Sequence, residues 1–355
     1  MLDAALCKKQ VARLGIIAMT LLCGGGVSPP KETKVFHENP YWELAWRAAN
    51  TISSPIDAGT TKAQLCNAAA LCGRAGLIER WKADEPVLWV KLTCDVARAY
   101  AEALFGNAEK HEMILQATVH EAASVDEWDQ MRITTPLLKA YIAGLWQKSQ
   151  DFQMMKKWIF EDDVKRILGD DVKRLPAAAL VFCDWMTLLQ QRARGDIAPT
   201  PNLVAIMDML MEQRQKFATA ERLRMFASLS PLLRGSRWDS TVQQETGEVE
   251  KTTPKPDCET LLEFSRIYAG LGKKDRADRL ITRAQKMIEA KDTGDCLAPW
   301  ALLAEAKRAA GRSREEVNQT FEEGISHSND RPGYFKPVAE ALTYATRAQY
   351  ETQEK

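Results

Sequence analysis

The chain lacks a charge of either sign in excess: 48 Lys and Arg stand against 48 Asp and Glu. No global field therefore draws it onto nucleic acid or an anionic membrane. It has no Cys-x-x-Cys pair, and its four histidines, His37, His111, His120 and His327, are scattered. A structural zinc site accordingly lacks its ligand spacing. His120-Glu121 is not followed by a second histidine, because position 124 is Ser, and the metalloprotease helix is excluded. Neither a Gly-x-Ser-x-Gly elbow nor a dinucleotide-binding glycine fingerprint occurs. Runs of β-branched residues are scarce, and glycine is sparse and falls between long periodic segments, which favours helices over strands. No apolar run reaches the roughly 20 residues that span a bilayer.

Hydrophobic residues make up 45% of the chain, enough for a large core. At the N-terminus, Lys8, Lys9 and Arg13 lead into an apolar run from Leu14 to Cys23, followed by three glycines and Pro29-Pro30. A basic stretch, a short apolar segment and small residues form the pattern of a secretory signal, so residues 1–26 are expected to direct export to a bacterial periplasm or envelope. The alternative is a cytosolic protein in which residues 3–22 form a first amphipathic helix. Loss of a leader carrying Cys7 and Cys23 leaves six of the eight cysteines. Cys66 and Cys72 are six steps of about 100° apart on one expected helix and cannot face each other. Cys72 can reach Cys94 across neighbouring helices; alternatively all six are small buried apolar residues.

Residues 27–39 are polar, hold two prolines and read as a linker. Helical periodicity then runs through an irregular region, 40–234, and resumes over 257–350. Between them, residues 235–256 are rich in Thr and Glu, lack periodicity and are expected as a polar loop.

Most candidate chemistry dissolves on inspection. Gly270-Leu271-Gly272-Lys273-Lys274 resembles a phosphate loop, yet position 267 is Ile where the first glycine belongs, and no strand precedes it. Asp162-Asp163-Val164-Lys165-Arg166 recurs at 170–174, but without the alternating ligands and central glycine of a calcium loop. Arg276, Arg279, Arg283 and Lys286 line one helical stripe. Opposite it lie Ala277, Ile281, Ala284 and Ile288, so the basic stripe is the expected solvated complement of a buried face. No catalytic, cofactor-binding or metal-binding residue emerges, and no cofactor or nucleic-acid partner is implied.

Repetition is the strongest signal. Leu261, Phe264 and Tyr268 share one face of a first helix, Gly272 marks a turn, and Ala277, Ile281, Ala284 and Ile288 form the stripe of a second. Trp300, Leu303, Gly311, Val317, Phe321 and Gly324 repeat the plan, with Lys307 at the usual aromatic position. Over residues 258–326 the chain resembles the tetratricopeptide (TPR-like) repeat superfamily. Upstream the likeness loosens: Tyr100, Tyr141 and Trp185 recur at intervals of about 40 residues, against about 34 in that family. The resemblance implies an all-α fold, a right-handed α-solenoid of antiparallel helix pairs. It also implies a non-catalytic scaffold that binds a protein or peptide, with first helices lining the binding face and Arg98, Lys139 and Arg266 as candidate contacts. The rival expectation is a helical-toroid enzyme in which two converging carboxylates with raised pKa values do the work.

Overall fold

The structure, a computed structural model, describes residues 39–149, 175–184, 201–293, 296–328 and 335–353. The expected leader, nearly all of the linker, the duplicated acidic segment and Trp185 lie outside these residues. Within them the chain is all-α, with no strand. None of the described helices is long and apolar enough to cross a membrane.

Contacts divide the described residues into two units: unit 1 holds 62–149, 175–184 and 201–206, and unit 2 holds 39–61 and those from 207 onward. The helices in chain order are α1 (Pro40–Asn50), α2 (Pro55–Leu71), α3 (Ala75–Ala83), α4 (Leu88–Phe105), α5 (Ala108–Ala122), α6 (Glu127–Ser149) and α7 (Pro201–Glu212). They continue as α8 (Thr219–Leu233), α9 (Asp239–Thr252), α10 (Cys258–Gly270), α11 (Lys274–Glu289), α12 (Pro299–Ala309), α13 (Arg314–His327) and α14 (Lys336–Gln353). Residues 175–184 are also helical.

Unit 1 is organised around α4, which packs against α3, α5 and α6. Its apolar residues run almost all the way round, and Trp89, Leu92, Val96, Tyr100 and Leu104 are all buried. A helix apolar on every side has to be surrounded. His111 of α5 is held in this core, its Nδ1 2.8 Å from the Ala99 carbonyl oxygen; since a carbonyl only accepts, Nδ1 carries the proton. A Cβ on Gly144 of α6 would lie 2.1 Å from the His111 ring, so the missing side chain is what lets α6 close on α5. Helix α3 gives no periodic signal of its own in the sequence. Its Leu77, Ile78 and Trp81 bury one face, but nine residues are too few to establish a period.

In unit 2 the helices α8, α10, α12 and α14 pack each against the next. Helix α9 lies against α8 and α10, α11 against α10 and α12, and α13 against α12 and α14. Side-chain caps start several of them: Asp257 Oδ1 accepts from the Thr260 N–H at 2.7 Å and Ser313 Oγ from the Glu316 N–H at 3.2 Å. Each such cap contributes about 1 kcal/mol. Gly272 takes φ +76° in the α10–α11 turn, a conformation that disfavours any residue with a Cβ, which settles the phosphate-loop resemblance as a helix–helix turn. Lys307, the exception to the aromatic pattern, is 6% exposed, donates to Thr320 Oγ1 at 3.1 Å and lies 3.7 Å from Glu316.

Two features of unit 2 depart from the expected organisation. Residues 239–252, read as part of a loop, form α9. Its apolar stripe is thin, with Val242 and Thr246 as its buried residues, and charge does the rest. Glu245 accepts from Arg214 at 2.6 Å, and Glu250 accepts from Arg276 at 2.6 Å and from the Tyr268 hydroxyl at 3.2 Å. These partners stand on other elements, so the helix is invisible to a hydrophobic period. The second departure is that α1 packs against α14, some 300 residues away in sequence. Trp42, Ala45, Trp46 and Ala49 are buried. Tyr41 stacks on Tyr344 with centroids 6.0 Å apart, Arg347 lies 4.1 Å over the Tyr41 ring, and the Asn39 amide donates to Glu351 at 3.1 Å.

Trp42 is 2% exposed. Trp42→Ala is expected to cost about 3–5 kcal/mol, lowering the denaturation midpoint and accelerating amide exchange across α14. Exchange in residues 336–353 that stayed at the wild-type rate would show that α1 does not protect α14.

Candidate functional site

The three residues expected to contact a partner are engaged within the protein. In unit 1, Arg98 bonds Asp95 at 3.1 Å and Glu79 at 2.9 Å. Lys139 ion-pairs with Asp184, donates to Asn67 at 3.0 Å and sits 4.5 Å over the Tyr100 ring. Tyr100 donates its hydroxyl to Asp184 at 2.6 Å, and burial pushes its pKa well up. This network satisfies buried charge inside unit 1. In unit 2, Arg266 lies 3.3 Å from both carboxylate oxygens of Glu263 on its own helix.

Glu263 has a raised pKa, as the enzymatic expectation asked of its acids; Glu102 of α4 is another, raised by burial. At Glu263 burial raises the pKa, Arg266 lowers it, and Glu305 of α12 raises it again, with smaller effects from Arg224 and Glu259. Arg266 is positioned to neutralise it, as a structural ion pair requires. Among the described residues no group of three or more His, Cys, Asp or Glu side chains could hold a metal ion. The basic stripe is interrupted: Arg276 is bound to Glu250, and the open groove along Arg279, Arg283 and Lys286 is also lined by Asp278 and Asp292.

A cleft of about 290 Å³ lies in unit 2 where α11 ends and α12, α13 and α14 meet. Ile288, Lys291, Trp300, His327, Phe335 and Thr343 are among its walls. Helix α11 finishes with Lys291 at φ +59°, the one non-glycine residue in the left-handed region among those described. The Asp292 N–H donates to the Met287 carbonyl at 2.9 Å and the Lys291 N–H to Ile288 at 3.0 Å, closing the helix end. Other left-handed positions hold Gly73, Gly106, Gly235, Gly272 and Gly311. A side chain in that conformation costs about 1–2 kcal/mol, and here it stands at the lip of the cleft.

Trp300 forms the wall with its ring stacked on His327, centroids 5.2 Å apart and planes at 25°. Gly324 makes room for it: a Cβ there would lie 2.6 Å from Trp300 Cβ. The hydroxyls are turned inward, Thr343 to the Ala339 carbonyl at 2.7 Å and Ser328 to Ile325 at 2.8 Å. Phe335 is 41% exposed, and Glu289 and Lys291 place both signs of charge beside the aromatic wall. The cleft thus combines an aromatic wall with a few polar and charged groups, the mixture common to binding sites. Of the lining residues, Trp300 was visible as a repeat position and His327 as an isolated histidine. Phe335 and Lys291 carried no signal, because cleft formation depends on how α11 and α14 meet. Elsewhere, Trp128 at the start of α6 is 73% exposed. Comparison with protein-family models, with curated proteins and with solved structures finds no match.

Because the folded pKa of Glu263 lies above its ordinary 4.5, the folded state holds the proton more tightly than the unfolded chain. The resulting stability is present below the unfolded value and is lost as pH rises through the folded one. Glu263→Gln is expected to flatten that decline from pH 4.5 upward in denaturant titrations across the acid range; an unaltered slope would assign it to another group.

Proposed function

We propose that the protein is a non-catalytic scaffold of the tetratricopeptide-like kind that captures a segment of another protein. In this reading unit 2 is a short run of helix pairs, α8/α9, α10/α11, α12/α13 and α14/α1, arranged as a right-handed solenoid. The order of packing supports it, since each first helix lies against the next while its follower lies alongside. Small residues at crossings point the same way: a Cβ on Gly270 of α10 would fall 1.9 Å from Ser230 Oγ of α8. The observation that carries the function is the Trp300 cleft, an aromatic wall with charged lips and a strained Lys291 at its mouth. Strained backbone persists where the surroundings over-determine it, and such places cluster at ligand clamps. An incoming peptide would place one apolar or aromatic side chain against Trp300 and Phe335 and its polar backbone toward Lys291 and Glu289. The N-terminal pattern of Lys8, Lys9, Arg13 and the apolar run to Cys23 supports export to a periplasm or envelope, so the partner is sought there.

Random-peptide display against the full-length protein tests the reading. Enriched peptides should share an apolar or aromatic anchor and lose about 10–100-fold in affinity to Trp300→Ala or Phe335→Ala. Phe335 is already 41% exposed, so its variant should keep the fold. Peptides that bind both variants as well as the wild type would place the docking surface elsewhere.

A further inference from the structure

Four cysteines stand in two sulfur-to-sulfur contacts, one inside each unit. In unit 1, Cys66 of α2 and Cys94 of α4 are 1% and 0% exposed, with Sγ atoms 3.5 Å apart. In unit 2, Cys258 opens α10 and Cys296 lies just before α12; their thiols hydrogen-bond to each other. Cys258 Sγ also lies 3.6 Å from the Thr293 carbonyl oxygen. All four are thiols in this structure. Cys94 therefore faces Cys66, and the pairing of Cys94 with Cys72 that the sequence allowed is not the one the packing brings together.

We propose that Cys66–Cys94 and Cys258–Cys296 are structural disulfides, formed as the protein folds in an oxidising compartment. Burial alone explains a small apolar cysteine in a helix interface. It does not explain sulfur against sulfur in both units. Each pair joins segments distant in sequence, 28 positions apart in the first case and 38 in the second, counted from 258 to 296. Each bond therefore closes a loop long enough to restrict the unfolded chain substantially. Bonding needs the sulfurs to close from 3.5 Å to about 2.05 Å, a side-chain adjustment between helices already in register.

Burial also sets when the bond forms. It pushes the Cys66 thiol well up, helped by Cys94 and the nearby Glu85; the Cys258 thiol and burial do the same to Cys296. Exchange proceeds through the thiolate, so oxidation belongs to the period before the helices close. The oxidant is an organic disulfide, carried by a folding catalyst or a small thiol. One cysteine thiolate attacks it, making a mixed disulfide and releasing one donor thiolate. The second cysteine displaces the other donor sulfur. Each bond takes two protons and two electrons from the cysteine pair, and the donor leaves as two thiols.

The inference does not depend on what the Trp300 cleft holds. Its test is to refold reduced full-length protein in a mixture of oxidised and reduced glutathione, alkylate the remaining thiols and map unreduced peptides by mass spectrometry. The expected result is two linkages, 66–94 and 258–296, a mass lower by four hydrogens, and a thermal midpoint about 5–15 °C above that of the reduced protein. Cys66→Ala should leave Cys94 alkylated and the 258–296 bond intact; should that variant not regain its helicity, the wild-type map decides alone. Wild-type protein that recovers its helicity with all four cysteines alkylated, or linked in other combinations such as 72–94, would overturn the proposal.

Discussion

Unit 2 depends on one constraint: an amphipathic helix pair has more apolar surface than it can bury by itself, and a neighbour has to cover the rest. Among α8, α10 and α12 the next of these helices does this. Helix α14 is covered by α1, with Trp42, Trp46 and the Tyr41–Tyr344 stack. The core beneath is continuous with it, since Phe321 of α13 packs on Tyr350 of α14 with centroids 5.9 Å apart. Arg347 joins the layers by pairing at once with Glu322 of α13 and with Glu351. A contact between segments some 300 residues apart thus covers part of the α14 surface.

The Trp300 cleft is a by-product of the same geometry. Helix α11 stops with a lysine in a glycine's conformation, and α12 restarts at Pro299, whose ring suits a first helical turn. The gap between them is walled by aromatics because Gly324 admits Trp300. Close packing thus stands beside the gap and backbone strain at its edge. Unit 1 is different in character. It holds buried charge, as in the buried Lys62–Glu85 pair at 2.6 Å and the Tyr100–Lys139–Asp184 network. A pair so buried specifies an arrangement more than it stabilises one.

Where helices carried a strong apolar stripe, the sequence was a reliable guide. Helix α11 is the clearest case, with Ala277, Leu280, Ile281, Ala284 and Ile288 buried and Arg279, Arg283 and Lys286 exposed. Where stability came from charge partners on other helices, it was not. Helix α9 was taken for a loop because Glu245 and Glu250 look solvated until Arg214, Tyr268 and Arg276 are placed around them. Lys139 is the converse case: Asp184, with which it pairs, is 45 residues away, counted from 139 to 184, and no helical period links the two.

The sequence by itself determined the all-helical class and the apolar stripes of its strongest helices. These are local properties, written in spacings of three and four residues and in single glycines. Tertiary structure alone decided that α1 covers α14, that Cys94 meets Cys66, that Lys139 meets Asp184, and that a cleft opens beside Trp300. Each of these joins residues that no helical period relates. Their proximity follows from how whole helices cross, and that is set by the summed packing of both faces.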